Sequence, residues 1–199
     1  MEFKGKAGRP GVLANQFLVA MPGMQDPRFA RAVIYVCAHS EEGAMGFIIN
    51  QEQPTSFSDI LVQLGIIDED AAIRLPDPAR GIKVRNGGPV DRSRGFVLHS
   101  ADFRVQSSVD LTPGLCLTAT VDILRAMLTG DGPAKAIMAL GYSGWGAGQL
   151  ETEISENAWL TFPAMPDLIF DGEMDSKYDR ILTRFGVNPA FLSPAAGHA

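Results

Sequence analysis

The sequence predicts an α+β fold, in which a mixed β-sheet is flanked by helices. Two observations support this prediction. Early in the chain, the apolar runs 32–38 and 44–50 are separated by a Ser-Glu-Glu-Gly turn, which is the pattern of a β-hairpin. Towards the C-terminus, strand-like runs alternate with stretches of helical spacing. Hairpins early and alternation late indicate a mixed sheet and not a purely parallel one.

Strands are predicted where β-branched and aromatic residues cluster between turn residues. The run 32–38 is the clearest, because it is apolar throughout and suited to burial on both faces. Turns at 86–89 and 112–114 separate the strands in the middle of the chain. The predicted strands are 11–20, 32–38, 44–50, 82–85, 95–99, a segment near 105–109, 115–118, 136–140 and 158–162.

Helices are predicted where apolar residues recur every three or four positions between capping residues. Ser56 or Ser58 begins a helix that ends before Gly65, and Thr120 begins another that ends at Gly130. Residues 24–31 form an irregular turn or a short helical bend, because Asp-Pro initiates turns. The remaining predicted helices are a short one within 66–80, one over 149–154 and an amphipathic one over 175–185.

Length and composition restrict the class of protein. The chain has 199 residues, of which 46% are hydrophobic, so it can bury one sizeable core or two small ones. We expect a flexible arm over 1–10 and a single domain over 11–199. The net charge of −6 is unlike that of a dedicated nucleic-acid binder. Two cysteines provide no disulfide framework, and no apolar run reaches the ~20 residues of a membrane helix. A cytoplasmic protein without metal or cofactor is therefore expected.

A glycine-rich segment over 141–148 is the first candidate site. Four glycines in eight positions, at a predicted strand-to-helix junction, allow close backbone approach and leave helical amides free for an anion. The alternative is a tight packing turn, with Glu151 and Glu153 occupying the positive end of the helix. As a ligand site, the segment would use Gly141, Ser143, Gly144, Trp145, Gly146 and Gly148.

The same segment resembles three known motifs without completing any of them. Gly-Tyr-Ser-Gly-Trp matches the Gly-x-Ser-x-Gly motif of a nucleophile elbow except at the last position, where Trp145 replaces the glycine. The histidine that follows Ser143 in the chain is His198, close to the C-terminus. A phosphate loop lacks its Gly-Lys-Ser/Thr ending, and the spacing of the glycines does not fit a dinucleotide fingerprint.

Three polar residues form a second candidate site. Strand alternation would place Cys37 and His39 on one face, where an imidazole could activate the thiol. His99 would join them in a metal or catalytic cluster, together with Asp102, if their strands were neighbours. The alternative is a buried cysteine that acts as a small hydrophobic residue, with histidines that have structural partners.

Five basic residues lie within fifteen positions. They lack the aromatic residues and the helix-turn-helix pattern of a nucleic-acid site. Strand alternation would put Lys83 and Arg85 on one face, and a solvated sheet edge is the favoured interpretation. We therefore do not expect direct DNA binding. The five residues are Arg80, Lys83, Arg85, Arg92 and Arg94.

Four blocks of the sequence resemble the YqgE/AlgH family of bacterial proteins, in the family's order and spacing from about residue 12 to 185. The resemblance implies a compact α+β fold with a bifurcated or barrel-like sheet surrounded by helices. It also implies the family's usual description as transcriptional regulators, but no catalytic residue, cofactor or ligand. Ala38 stands where an acidic residue is common in the family. The blocks are 18–24 with 26–29, 35–40 with 43–50, 86–90 with 95–99, and 141–160.

The expected function is that of a non-enzymatic regulatory or binding protein, whose partner is a small anionic ligand or another protein. The alternative is an enzyme of the hydrolase or thiol type, with Cys37/His39 or Ser143 as the reactive group. A third interpretation is a DNA-binding regulator that works through residues 80–94. The oligomeric state does not follow from the sequence.

Overall fold

The computed structural model of the protein describes residues 11–75, 77 and 79–192. The predicted arm over 1–10 and His198 lie outside the described residues. Within these ranges the strands are β1 (Gln16–Ala20), β2 (Val33–Ser40), β3 (Gly43–Ile48), β4 (Val84–Asn86), β5 (Val90–Ser100), β6 (Val109–Thr112), β7 (Leu115–Thr118), β8 (Ala136–Gly146) and β9 (Trp159–Pro163). The helices are α1 (Phe57–Gln63), α2 (Glu69–Ile73), α3 (Val121–Thr129), α4 (Gln149–Ser155), α5 (Pro166–Phe170) and α6 (Met174–Arg184).

The described strands form one sheet in the order β6-β7-β5-β8-β3-β2-β1-β9, with β4 beside β8. The β4–β8 pair is parallel, whereas the pairs along this path are antiparallel. The predicted hairpin of β2 and β3 is confirmed. The fold is thus α+β with a mixed sheet, as the sequence predicts.

The sheet divides along the long strand β8. The first half of β8 pairs with β5 and β4, and the second half pairs with β3. The change occurs at Gly141, whose φ of +69° lies in the left-handed region. The bifurcated, curled sheet implied by the family resemblance is confirmed.

Three apolar clusters hold the helices against the sheet. The largest packs α5 and α6 on one face of the sheet, through residues such as Ile169 and Ile181. A second cluster packs α1 and α3 near the first half of β8. The third lies beneath α4, where Leu150 and two tryptophans meet β1, β2 and β3. Every described helix except α2, which buries no residue, therefore packs through one of these clusters, as short helices need for stability.

Most helix ends follow the predicted signals. Ser56 caps α1 through a capping box with Asp59, and Gly130, at φ +82°, ends α3. Thr120 precedes α3 as predicted, but its hydroxyl contacts Ser107 and makes no cap bond. The longest described helix is α6, with 11 residues, and none of the described helices could cross a membrane.

Several predicted strand boundaries are wrong. The strand predicted over 11–20 begins only at Gln16, and the strand predicted over 95–99 begins at Val90. The strand predicted near 105–109 begins only at Val109, because Val105 and Ser108 close a turn through two hydrogen bonds. The strand predicted to end at Leu140 continues to Gly146, because its second half gains β3 as a partner. The turn at 105–108 is local, whereas the extension of β8 depends on pairing with a distant strand, which sequence patterning does not detect.

Candidate functional site

The glycine-rich segment lies mainly inside the sheet, and only its last two residues, 147 and 148, form the junction between β8 and α4. Gly144 and Gly146 pair with β3, opposite Met45 and Gly43. The amide of Gly146 donates to Oε1 of Gln149, at 3.0 Å. The predicted helix start at Gln149 is confirmed, with Gly148 as the N-cap of the seven-residue helix α4. What is corrected is the extent of the preceding strand, which takes Gly141, Gly144 and Gly146 into the sheet.

Close backbone packing explains two of the glycines around this segment. Gly88 has φ +149°, and a Cβ placed on it would lie 2.3 Å from the carbonyl carbon of Tyr142. A Cβ on Gly141 would lie 2.6 Å from the carbonyl oxygen of Gly88. The loop before β5 thus rests directly on the backbone of β8. The geometry corresponds to the packing interpretation of the glycines.

Ser143 does not have the geometry of a nucleophile. It is fully buried in the middle of β8, and its hydroxyl donates to the carbonyl oxygen of Gly87 at 3.3 Å. A nucleophile elbow needs a sharp turn between a strand and a helix, which exposes the serine. The partial motif seen in the sequence is thus a strand segment, and the predicted elbow context is wrong.

A carboxylate on α4 anchors this helix to the sheet. Oε2 of Glu153 accepts hydrogen bonds from the indole nitrogens of Trp145 and Trp159, at 2.9 and 2.8 Å. Oε1 accepts a third bond, from the side-chain amide of Gln149, at 2.9 Å. The two indole rings meet edge to face, 6.2 Å apart. Trp145 and Glu153, which the sequence suggested for a ligand site and a helix end, form this clamp instead.

A β-bulge separates Cys37 from His39. The register between β2 and β3 shifts between Val36 and Ala38, so Cys37 is the extra residue. Cys37 consequently faces the largest cluster, whereas the ring of His39 contacts Glu151 of α4, at 2.7 Å. The prediction that alternation puts both on one face is wrong because a bulge reverses the alternation.

Burial disfavours the thiolate form of Cys37. Its Sγ donates to the carbonyl oxygen of Met45, at 3.3 Å, and desolvation raises its pKa to about 12. The His39 ring is bonded on both sides, because Nε2 donates to Glu151 and Nδ1 accepts from the amide of Leu13 at 3.4 Å. The contacts of both residues correspond to the structural alternative.

His99 lies far from His39, so the predicted cluster does not form. His99 pairs with Ala136 at the start of β8. His39 pairs with Ala44 of β3, which in turn pairs with Trp145 near the end of β8. These two points of β8 are up to about 30 Å apart along the strand. His99 contacts Thr118 and the carbonyl oxygen of Ser100, and burial lowers its pKa. The described residues hold no group of side chains arranged for a metal ion.

The basic stretch is not one solvated edge, because Arg85 is buried. It is 2% exposed, whereas its predicted companion Lys83 is exposed and precedes β4. The Arg85 guanidinium lies beside Lys177 of α6, which is fully buried. These two residues, which we call the buried cation pair, are the most unusual polar feature of the described structure, since such residues are almost never buried without partners.

The buried cation pair sits at the C-terminal end of α5. Nζ of Lys177 donates to the carbonyl oxygens of Leu168 and Asp171, the latter at 3.0 Å. Arg85 reaches the Asp171 carbonyl only at 3.5 Å and otherwise contacts the sulfur of Met174. Cations suit this end of a helix, where carbonyl groups lack amide partners. An open depression of about 380 Å³ adjoins the corner and is lined by Lys135, Asp167, Phe170 and Asp171, with Ala134 and Ala136.

The titration of Lys177 should make the free energy of unfolding depend on pH. Desolvation lowers its pKa to about 8 from 10.5, although Asp171 and Asp167 oppose this shift and Arg85 and Arg180 add to it. Between these values the unfolded chain binds more protons than the folded one, so stability from this group rises with pH.

We compare the free energy of unfolding of the wild type with that of Lys177→Met. Between neutral pH and pH 10.5, the difference should change in favour of the wild type by on the order of 2 kcal/mol. Urea unfolding at a series of pH values measures the difference. Other titrating groups, including Cys37 and Tyr35, are common to both proteins and cancel. Parallel stability curves for the two proteins would contradict the assignment.

The sequence contained a signal for Lys177 that helical periodicity could have revealed. The apolar stripe of α6 comprises Met174, Tyr178, Ile181 and Leu182, and Lys177 falls on the same stripe by its spacing. A lysine inside an apolar stripe predicts either a snorkelling side chain or a buried charge. No local pattern, however, indicates that Arg85 would be its neighbour, since 92 positions separate them.

A curled mixed sheet that divides along one long strand, with helices on its faces, defines a distinct class of small α+β protein. The AlgH-like family model matches residues 17–190, and the chain belongs to this family. The resemblance drawn from the four sequence blocks is thereby confirmed.

Relatives and solved structures agree with this assignment. The chain is 67% identical to a UPF0301 protein of Mesorhizobium japonicum, over 98% of this chain and 96% of the relative. A UPF0301 protein of Chelativorans sp. is 63% identical, over 96% and 95%. The solution structure of the AlgH protein from Pseudomonas aeruginosa is 42% identical, with a TM-score of 0.77, and covers 98% of this chain and 100% of that one. A crystal structure from Corynebacterium diphtheriae, at 21% identity and a TM-score of 0.66 over 89% of each chain, supports the fold alone.

Proposed function

We propose that this protein is a non-catalytic regulatory protein that binds a small ligand or a protein partner. One observation carries the proposal: both candidate nucleophiles are buried and donate their hydrogen to a main-chain carbonyl group. For Cys37 the acceptor is Met45, and for Ser143 it is Gly87. A nucleophile needs a base within hydrogen-bond reach and access to a substrate.

The main alternative is a thiol- or hydrolase-type enzyme. Catalysis by Cys37 would require its thiolate, which a pKa of about 12 makes scarce at neutral pH. Catalysis by Ser143 would require β8 and the loop at Gly87 to separate, because the hydroxyl lies between them. The binding proposal needs neither rearrangement, and for this reason we prefer it.

Regulation by direct contact with DNA has less support than regulation through a ligand or a protein. Arg85, near the middle of the basic stretch, faces the interior. Neutralising phosphates requires exposed cations that share one surface. The net charge of −6 also favours a partner other than nucleic acid.

Covalent labelling of the folded protein tests the proposal. We expect iodoacetamide to modify Cys37 roughly 100-fold or more slowly than a free thiol at neutral pH, because burial suppresses both its thiolate and its access. A fluorophosphonate probe should leave Ser143 unmodified. Intact-mass spectrometry measures both reactions, and the urea-unfolded protein is the control in which the thiols must react.

Fast, stoichiometric modification of Cys37 or Ser143 in the folded protein would contradict the proposal. For Cys37, a dependence of the fast reaction on His39 would identify a thiol enzyme, and the His39→Asn variant measures this dependence. The bulge between the two residues predicts that the substitution leaves the alkylation rate unchanged.

A further inference from the structure

The buried cation pair has more hydrogen-bond donors than the described residues supply with acceptors. A guanidinium carries five N–H groups, and Arg85 uses two of its nitrogens, one for a thioether sulfur and one for a carbonyl oxygen at 3.5 Å. Its Nε has no hydrogen-bond partner within the described part of the chain. Lys177 uses its Nζ on Leu168 and Asp171, which leaves one of three N–H groups. A buried charged donor without an acceptor lowers the stability of the folded protein. We therefore expect a further acceptor beside Arg85 and Lys177.

The charge around the pair is also incompletely balanced inside the protein. The neighbouring carboxylate is Asp171, and its Oδ2 is engaged by Arg180. Asp167 and Glu52 act on the pair through space, but both are exposed to solvent. Two buried positive charges thus face one carboxylate that already has a partner. Burying cations is favourable only when opposite charges or good acceptors accompany them.

A purely structural role explains part of this arrangement. Lys177 satisfies carbonyl groups at the end of α5, as a cation at a helix C-terminus should. That role gives no acceptor to Nε of Arg85 among the described residues, and the guanidinium adds only one long bond to the helix end. A metal ion is unsuited to the corner, because Arg85 and Lys177 are positively charged and the one neighbouring carboxylate, Asp171, is engaged by Arg180.

We propose that the buried cation pair is an anion site, in which a carboxylate or phosphate group of a small ligand accepts hydrogen bonds from Nε of Arg85 and Nζ of Lys177. This inference rests on the proposed binding function and gives the ligand its chemical class. A guanidinium edge offers parallel N–H groups that match the two oxygens of such an anion. Asp171, whose carbonyl oxygen accepts from Lys177, also lines the depression. Neither Arg85 nor Lys177 lines it, so an anion that enters from the depression must move Asp171 aside to reach the pair.

Thermal unfolding with simple anions tests the site. The probes are inorganic phosphate, sulfate and acetate, each compared with sodium chloride at the same ionic strength. A bound anion stabilises only the folded protein, so we expect a saturable rise in the unfolding midpoint of about 3–5 °C at ten times the dissociation constant. Acetate distinguishes a carboxylate site from one that needs the tetrahedral anions.

Two variants and a matched control test whether the rise in the unfolding midpoint comes from the buried cation pair. Lys177→Met and Arg85→Gln each remove one donor group, and each should abolish the rise. Lys177→Met should stay folded, because it removes the desolvation cost of a buried charge, which offsets the loss of a donor to the carbonyl oxygens of Leu168 and Asp171. Arg125→Met is the control, since it removes the same charge from an exposed position on α3 and should keep the full response.

A measurement on the wild type keeps the proposal testable if a variant fails to fold. In a phosphate titration followed by amide NMR shifts, the largest changes should lie in 84–86 and 168–177. The proposal is overturned if chloride gives the same rise as the three anions, if Lys177→Met retains the response, or if the shifts lie elsewhere. None of these outcomes affects the labelling test, so the anion site and the binding function can fail separately.

Discussion

Replacing Gly88 by alanine is expected to lower the midpoint of thermal unfolding by about 10 °C or more, or to prevent folding altogether. The added Cβ would lie 2.3 Å from a backbone carbon of Tyr142, which no side-chain movement can relieve. The φ of +149° is also one that residues with a Cβ rarely adopt. This clash is removed only if the loop before β5 separates from β8, which should lower the free energy of unfolding by roughly 4 kcal/mol or more.

Two other glycines provide matched controls for this substitution. Gly114 also has a positive φ, +87°, but a Cβ there would meet none of the described atoms within 4 Å. Gly114→Ala should therefore cost only about 1 kcal/mol, from backbone strain. Gly81 has an open Cβ position without a positive φ, so Gly81→Ala should be close to neutral. If Gly88→Ala were as mild as Gly114→Ala, close packing of the loop on β8 would not be the reason for this glycine.

The second large effect is expected from Glu153→Ala, which removes the acceptor of both indole groups. Trp145 and Trp159 are 7% and 3% exposed, so water cannot readily replace the carboxylate. Each buried donor left without an acceptor costs about 1–3 kcal/mol. We expect a loss of about 3–5 kcal/mol in the free energy of unfolding, with a change in tryptophan fluorescence of the folded state, both measured by urea titration.

Glu153→Gln and Glu156→Ala complete the experiment. The side-chain amide introduced by Glu153→Gln would keep one acceptor oxygen but would present a donor to the amide of Gln149, so the loss should be intermediate. Glu156 is exposed at the end of α4, so its removal should change stability by no more than about 0.5 kcal/mol. Equal effects of Glu153→Ala and Glu156→Ala would show that the clamp does not hold α4 on the sheet.

Elements of the fold that depend on neighbouring residues were predictable from the sequence. Ser56 with Asp59, and Gly130 after α3, mark helix ends because caps act within one turn. The β2–β3 hairpin follows from a short polar turn between two apolar runs. The family resemblance added the division of the sheet, which no local pattern contains.

The candidate sites were predicted with less success, since their geometry depends on residues far apart in the chain. Alternation along β2 placed Cys37 beside His39, but a single bulged residue reverses the face of all that follows. The glycines of 141–146 suggested a loop, whereas β3, a distant segment of the chain, supplies a pairing partner and makes them a strand. Arg85 was placed at a solvated edge because the packing of α6 over it does not appear in the local sequence.

The sequence by itself determined the positions of the turns and helix caps, because these follow from interactions over a few residues. Its periodicity determined the class of fold, and the four blocks that resemble known proteins determined the family. Only the tertiary structure decided which side chains meet: the three donors on Glu153, the opposite faces of Cys37 and His39, and the shared burial of Arg85 and Lys177. The physical reason is that burial depends on strand register and helix docking. Both come from contacts between distant segments, and they determine whether a charge or a thiol faces water.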